Sequence, residues 1–291
     1  MIAVDWGTTS FRAFRLRGTQ VVGRYAGPHG ILTVPPGGFA STLHAAIAPW
    51  LADGEARVLM SGMVGSRQGW QEAPYLPCPA GASELAAGLV PVPFRGARVL
   101  LVPGLSIEGE VPEVMRGEEV QLVGALAQMG RDAVACLPGS HSKWARITGG
   151  RIERFTTHLT GEAFAALRDH TILGRLVQPG TTPDPDAFAR GVARSVDPGG
   201  LLHHLFGVRT LGLFGRLADA ESYLSGLLIG HEVRAAAPPG PVHLPIHLIG
   251  APALCALYAR AVAQCGGSTV LAGEDAAAQG LAIIGEHAQW T

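Results

Sequence analysis

Hydrophobic positions follow two rhythms along this chain. Short apolar runs bounded by Gly, Pro or polar turns predict strands at Ile2 to Val4, Phe11 to Leu16, Gln20 to Tyr25, Arg57 to Met60 and Arg98 to Val102. The turns at Gly7 to Ser10 and at Gly18-Thr19 are tight, so the first three strands form an antiparallel meander. Helical spacing takes over at Phe39, Leu43, Ile47, Trp50 and Leu51, after the break Pro35-Pro36-Gly37-Gly38. A second helix is expected from Glu118 to Met129, directly after Gly117. Strands return at Ala133 to Leu137, beyond the Gly139 turn as far as Ile147, and at Arg151 to Leu159. Gly161 to Arg234 reads as mainly helical, interrupted by the loop Pro179 to Pro185 and the break Pro198-Gly199-Gly200. After Pro238-Pro239-Gly240-Pro241, the order is strand (Val242 to Ile249), helix (Pro252 to Cys265), strand (Thr269 to Ala272) and helix (Asp275 to His287).

The second set of strands copies the first. Gly139 and Gly150 follow Gly7 and Gly18 at one offset of 132 residues, and the same offset sets Ser140 on Thr8 and Ser142 on Ser10. Such self-similarity predicts two related α/β halves, 1–130 and 131–291, the latter carrying a helical insert. Two halves facing one another imply a cleft lined by both hairpin turns.

Composition narrows the picture. With 291 residues, 47% of them hydrophobic and 15% charged, the chain can bury a large core. A net charge of -1 argues against nucleic acid as a main partner. No basic leader precedes an apolar segment, and no apolar run approaches a membrane span; Leu224 to Ile229 is short and flanked by glycines. Cys78, Cys136, Cys255 and Cys265 form no C-x-x-C pair, so free thiols in a reducing cytoplasm are expected. His203-His204 and the pair His243 and His247 have no acidic or thiol companion, which favours core or surface histidines over metal ligands.

The stretch Asp5-Trp6-Gly7-Thr8-Thr9-Ser10 carries the clearest chemistry. A carboxylate at a strand end, beside a small turn rich in hydroxyls and backbone N–H groups, suits a phosphate held with Mg2+. A local cap made by the Asp is the plain alternative.

Two motifs and four further stretches resemble a known family. Asp5 to Arg12 is similar to the first phosphate motif of the sugar kinase, hsp70 and actin superfamily, and Leu137 to Trp144 stands where its second lies. Ser61-Gly62-Met63-Val64-Gly65-Ser66 with Gly69-Trp70, Ala73-Pro74-Tyr75-Leu76, Val114-Met115-Arg116-Gly117-Glu118-Glu119, and Leu224 to Gly230 with Glu232 resemble the 2-dehydro-3-deoxygalactonokinase family, in that family's order, as does Leu159-Thr160-Gly161-Glu162. The resemblance implies two ribonuclease H-like domains of the actin-like ATPase fold with an interdomain cleft, the first binding sugar acid and the second nucleotide. It implies a cytoplasmic kinase moving phosphate from ATP, with Mg2+, to the 6-hydroxyl of 2-dehydro-3-deoxy-D-galactonate in galactonate catabolism. A kinase for the gluconate epimer or another sugar acid, or a non-catalytic sensor of the same fold, are the rivals; a homodimer is compatible with either.

Carried onto this sequence, the resemblance makes Asp5 the metal residue and Gly7, Thr8 and Thr9 the lining of the β- and γ-phosphates. Gly139, Ser140 and His141 would face the phosphates from the other half, with a histidine packed on Trp144 as the alternative for His141. Lys143 either neutralises charge or is a solvated strand residue. Glu118 is the expected general base, with Glu119 as rival; an acid there also suits the helix dipole. Arg12, Gly62, Met63, Val64, Trp70, Tyr75 and Arg116 are the substrate-side candidates, with Arg67 a further partner for the acid's carboxylate. Gly250-Ala251 resembles the adenosine motif, with Ala251 where a second Gly is usual.

Overall fold

The structure, a computed structural model, describes residues 1–177, 180, 182–237, 244–273 and 275–290. Parts of the expected loop Pro179 to Pro185, the break Pro238 to Pro241, the start of the expected strand at Val242 and the histidine His243 lie outside the described residues. The chain divides into two compact units. One comprises Met1–Asp132, Ala145–Phe155 and Gly273–Thr291; the other comprises Ala133–Trp144 and Thr156–Ala272. The chain's last helix belongs to the first unit.

The first unit is built on a six-stranded sheet of order β3-β2-β1-β4-β7-β6, from β1 (Ile2–Trp6), β2 (Phe11–Arg17), β3 (Gln20–Gly27), β4 (Arg57–Ser61), β6 (Val90–Val92) and β7 (Arg98–Leu101). β1 pairs antiparallel with β2, setting Asp5 opposite Arg12, and parallel with β4, setting Asp5 beside Ser61. β1 is apolar throughout its centre because both its faces are covered, as central parallel strands require. Leu43 and Ile47 of α1 (Phe39–Ala52) enter the core with Trp6, Phe11, Met60 and Val64. A small sheet of order β5-β8-β9 adds Tyr75–Pro77, Gly104–Ile107 and Glu113–Met115, and α2 spans Ala82–Ala87. These pieces are three to six residues long and have too little periodicity to be read from the sequence.

α3 (Glu118–Met129) and α9 (Ala276–His287) meet backbone to backbone. A Cβ on Gly124 would lie 1.9 Å from the Ala276 carbonyl oxygen, and one on Gly280 1.9 Å from that of Val120. Only glycine permits such an approach.

A five-stranded sheet has the order β12-β11-β10-β13-β14, with β10 Ala133–Leu137, β11 Ser142–Thr148, β12 Arg151–His158, β13 Ile246–Leu248 and β14 Thr269–Leu271. It repeats the first sheet's plan: three consecutive strands lie side by side, the first of them pairs parallel with the next strand in line, and that one pairs parallel with the strand beyond it. In the second unit, α5 (Pro185–Arg194) and α7 (Ala220–Ala236) approach as closely as α3 and α9, a Cβ on Gly226 falling 2.0 Å from the Phe188 carbonyl oxygen. α4 (Thr160–His170), α6 (Gly200–Leu213) and α8 (Pro252–Gln264) complete this unit. The apolar run in α7 is an interior helix face, and no helix among the described residues is long and apolar enough to cross a membrane.

Candidate active site

In the first unit, the Gly7 turn closes with a hydrogen bond from Gly7 N–H to the Ser10 carbonyl at 2.9 Å, leaving Thr8, Thr9 and Ser10 exposed. The segment at Gly30 to Leu32 braces it from behind: Ile31 N–H donates to the Gly7 carbonyl at 3.0 Å. Asp5, at the end of β1, accepts from the Arg12 guanidinium across the β1–β2 ladder, with Nε at 3.2 Å. Arg12 therefore holds the metal candidate's Oδ2.

Gly62 lies against the other side of Asp5. Its φ is +95°, and a Cβ there would meet the Trp6 carbonyl oxygen at 2.8 Å and Asp5 Oδ1 at 3.4 Å. Gly117, at φ +107°, is stacked on Gly62: its own Cβ would be 3.2 Å from Gly62 Cα. Two glycines in the left-handed region thus bring the start of α3 against the carboxylate turn. There the two adjacent acids part ways. Glu119 is fully buried, and both its oxygens accept Gly117 N–H, at 2.9 and 2.7 Å. Burial, helped by the Glu118 charge, raises its pKa to about 8 against those two bonds. Glu118 is only half-buried, and its Oε2 accepts Arg116 N–H at 3.0 Å. Of the two, Glu118 is the one a solute can reach.

The loop after β4 mixes roles. Val64 is fully buried in the core, and its carbonyl accepts Trp70 N–H at 2.9 Å. Trp70 stacks on Phe39 at 6.3 Å with 11° between planes. Both are therefore bound up in packing, and Met63 packs partly buried beside them. Tyr75 is exposed, with its ring over the Arg116 guanidinium at 4.3 Å. Arg67 pairs with Glu72 at 3.0 Å on the surface.

In the second unit, Ser142 is buried and Ser140 and His141 are exposed. His141 Nε2 pairs with Glu162 of α4. The histidine thus faces α4 and does not depend on packing against Trp144. Lys143 is 5% exposed and donates to Thr157 Oγ1 at 2.9 Å, so it is no solvated strand residue. Gly250, before α8, lies beside the same turn, 3.5 Å separating its Cβ position from the Pro138 carbonyl oxygen; Ala251 is the N-cap of α8.

A cavity of about 340 Å³ adjoins that turn. Gly139 and Gly161 line it, with Phe164, Phe188, Leu228, Leu254 and Leu257 as apolar walls and Asp184, Asp219, Ser222 and Tyr258 as polar points. Beneath it runs a buried chain of hydrogen bonds. Glu232 accepts from Trp144 Nε1 at 2.8 Å and from Tyr258 Oη at 2.6 Å, Tyr258 Oη meets Ser142 Oγ at 2.8 Å, and Ser142 Oγ reaches Gly139 N–H at 3.5 Å. Burial and the Glu232 charge keep the Tyr258 phenol protonated. Sequence reasoning missed these cavity walls, which come from helices far apart in the chain. Glu232 was visible only as part of a family resemblance.

The histidine pairs resolve separately. His204 is buried, with Nδ1 3.0 Å from His231 Nε2. His247 is buried on β13. The four cysteines are free thiols, and no group of three or more metal-ligating side chains occurs among the described residues.

The repeated sheet plan, with a small turn after the first strand of each meander, is the actin-like ATPase fold. Component A of (R)-2-hydroxyglutaryl-CoA dehydratase from Acidaminococcus fermentans shares this fold at 13% identity, with a TM-score of 0.55 over 99% of this chain and 96% of that one. The sequence model of the 2-keto-3-deoxy-galactonokinase family matches residues 5–284, and the chain belongs to that family of kinases. A crystal structure of a "putative 2-dehydro-3-deoxygalactonokinase protein" from Sinorhizobium meliloti is 35% identical, with a TM-score of 0.90 over 98% of both chains. The 2-dehydro-3-deoxygalactonokinase of Escherichia coli (strain K12) is 33% identical over 287 residues, 97% of this chain and 96% of that protein.

Proposed function

We propose that this kinase transfers the γ-phosphoryl group of ATP to the 6-hydroxyl of 2-dehydro-3-deoxy-D-galactonate, in the cytoplasm. The observation that carries the mechanism is the Gly62–Gly117 stack, which sets the first turn of α3, with Glu118, beside the Asp5 turn. Phosphoryl transfer needs little more than positioning, charge neutralisation and a group to accept the hydroxyl proton. Glu118 takes that proton at its carboxylate; in a loose transition state the proton leaves late, so orientation counts for more than basicity. Thr8 and Thr9, exposed on a braced turn, donate to phosphate oxygens. On the second unit, Gly139, Ser140 and His141 are the phosphate-binding residues. The cavity beside the Gly139 turn takes the nucleoside, its apolar walls against the base; Gly250 and Ala251 precede α8, whose Leu254, Leu257 and Tyr258 line it.

Mg2+ suits this donor set. Asp5 is a single carboxylate with Oδ1 outside the Arg12 pair, and a cation that keeps its waters and takes phosphate oxygens needs no closed cage of protein ligands. When bound, it neutralises charge on the phosphates.

Among the substrate-side candidates, Gly62 and Met63 offer backbone at the Asp5 turn, and Tyr75 offers an exposed ring. The test is ADP release by the purified protein with the 2-dehydro-3-deoxy acids derived from galactonate and from gluconate. The galactonate-derived acid is expected to give the higher kcat/KM. A higher value for the epimer reassigns the substrate, and no release with either acid sinks the reading.

A further inference from the structure

Arg116 is a buried cation whose chemistry is incomplete. It is 9% exposed, and its Nη2 donates to the Ala73 carbonyl at 2.8 Å. Its Nε and Nη1 are buried without a hydrogen-bond partner. Among the described residues no carboxylate lies within ion-pair distance of it; Glu119 feels its charge, yet turns both oxygens to Gly117 N–H. A guanidinium taken out of water and short of acceptors is destabilising. Packing does not explain the choice, because an apolar side chain would fill the place without that cost.

Two more orphans stand in the same loop. Ser61 Oγ and Ser66 Oγ are also buried without partners. Ser66 follows Gly65, where a Cβ would lie 3.0 Å from Arg116 Nη1, and Ser61 precedes Gly62, which is stacked on Gly117. Three sets of donors lacking acceptors therefore surround one short turn. The Tyr75 ring, 42% exposed, is the solvent-facing group over the guanidinium. The other arginines of this region are already engaged: Arg12 with Asp5, Arg67 with Glu72.

We propose that Arg116 is the carboxylate-specificity residue of the enzyme. Resting on the sugar-acid reading above, it receives the C1 carboxylate of the substrate on its unpartnered N–H edges once the Tyr75 ring swings aside. The Ser66 hydroxyl donates to the same anionic head. Gly65 is required because any side chain there would push the guanidinium out of place. Discrimination then comes from the orphaned donors themselves: a neutral sugar leaves them unpaired and is rejected.

The experiment compares the 2-dehydro-3-deoxy acid with the matching polyol-ketose, in which a hydroxymethyl group replaces the carboxylate. Wild type, Arg116→Lys, Arg116→Met and Gly65→Ala are assayed for KM of each acceptor, KM of ATP and the rise in melting temperature given by the acid alone. Removing one partner of a buried charged pair should raise the acid's KM about 100-fold in Arg116→Met and abolish the acid-induced thermal shift. KM for ATP should stay within about twofold, and the preference over the neutral ketose should collapse. Arg116→Lys should fall between, and Gly65→Ala should weaken the acid while melting near wild type, which covers a poorly folding methionine variant. Should the variants keep wild-type preference for the acid, or weaken ATP equally, the inference is overturned while the kinase reading stands. Silence of wild type towards both 2-dehydro-3-deoxy acids overturns the substrate reading, and this inference with it.

Discussion

Removing one oxygen atom tests how the second turn is held. Tyr258→Phe deletes the hydroxyl that donates to Glu232 at 2.6 Å and meets Ser142 Oγ at 2.8 Å. Glu232 is 3% exposed, and the Trp144 indole at 2.8 Å remains as its donor among the described residues. Hydrogen bonds to charged groups contribute about 1.5–3 kcal/mol, and the Glu232 carboxylate that loses this one is buried. A loss of about 2–3 kcal/mol follows, a fall of roughly 3–5 °C in melting temperature for a protein of this size. The Ser142 hydroxyl also loses its anchor, so the Gly139 turn loosens and ATP binding should weaken several-fold. Differential scanning calorimetry gives the first quantity and titration with a non-hydrolysable ATP analogue the second. A variant that melts within about 1 °C of wild type and binds the analogue equally well would refute the reasoning, since a buried carboxylate cannot lose a donor without cost.

Three further outcomes are expected. Glu118→Gln should retain ATP binding by titration while turnover drops about 10²–10⁴-fold; retained turnover moves the proton acceptor elsewhere. Burial raises the Glu119 pKa to about 8, well above the ordinary carboxylate range, so the folded protein holds that proton more tightly than the unfolded chain does. Its contribution is full below the unfolded value and is lost as pH rises through about 8, at up to about 1.4 kcal/mol per pH unit. Glu119→Gln should flatten the fall of melting temperature between pH 5.5 and 8.5, and an unchanged slope would discard the buried-acid assignment. Gly124→Ala puts a Cβ 1.9 Å from the Ala276 carbonyl oxygen. It should lower stability by at least about 1–3 kcal/mol and lower kcat with it, because α3 carries Glu118; calorimetry and steady-state assay check both.

Much of the fold was legible wherever a turn is encoded locally. Gly18 and Gly150 mark hairpins that appear in both sheets, and the long helices from Phe39, Glu118 and Pro252 begin where breaks and spacing place them. Strands of three or four residues, such as Tyr75–Pro77 and Val90–Val92, were not legible, since they are held by partners distant in sequence. The same physics separates Glu118 from Glu119. Neighbours in sequence, they differ in burial by the rotation of one helical position, which composition cannot reveal. Helix amphipathicity foretold the apolar faces, yet Glu232, Lys143 and Arg116 are buried polar residues whose partners come from other elements.

The last helix has a consequence for how the enzyme is made. α9 belongs to the first unit and locks against α3 through Gly124 and Gly280, yet it is encoded after everything in the second unit. On the ribosome, the helix bearing Glu118 waits for its packing mate until translation is nearly complete. A truncated nascent product stopping before Gly273 lacks that support, so prematurely terminated copies should be inert and easily degraded, never half-active kinases.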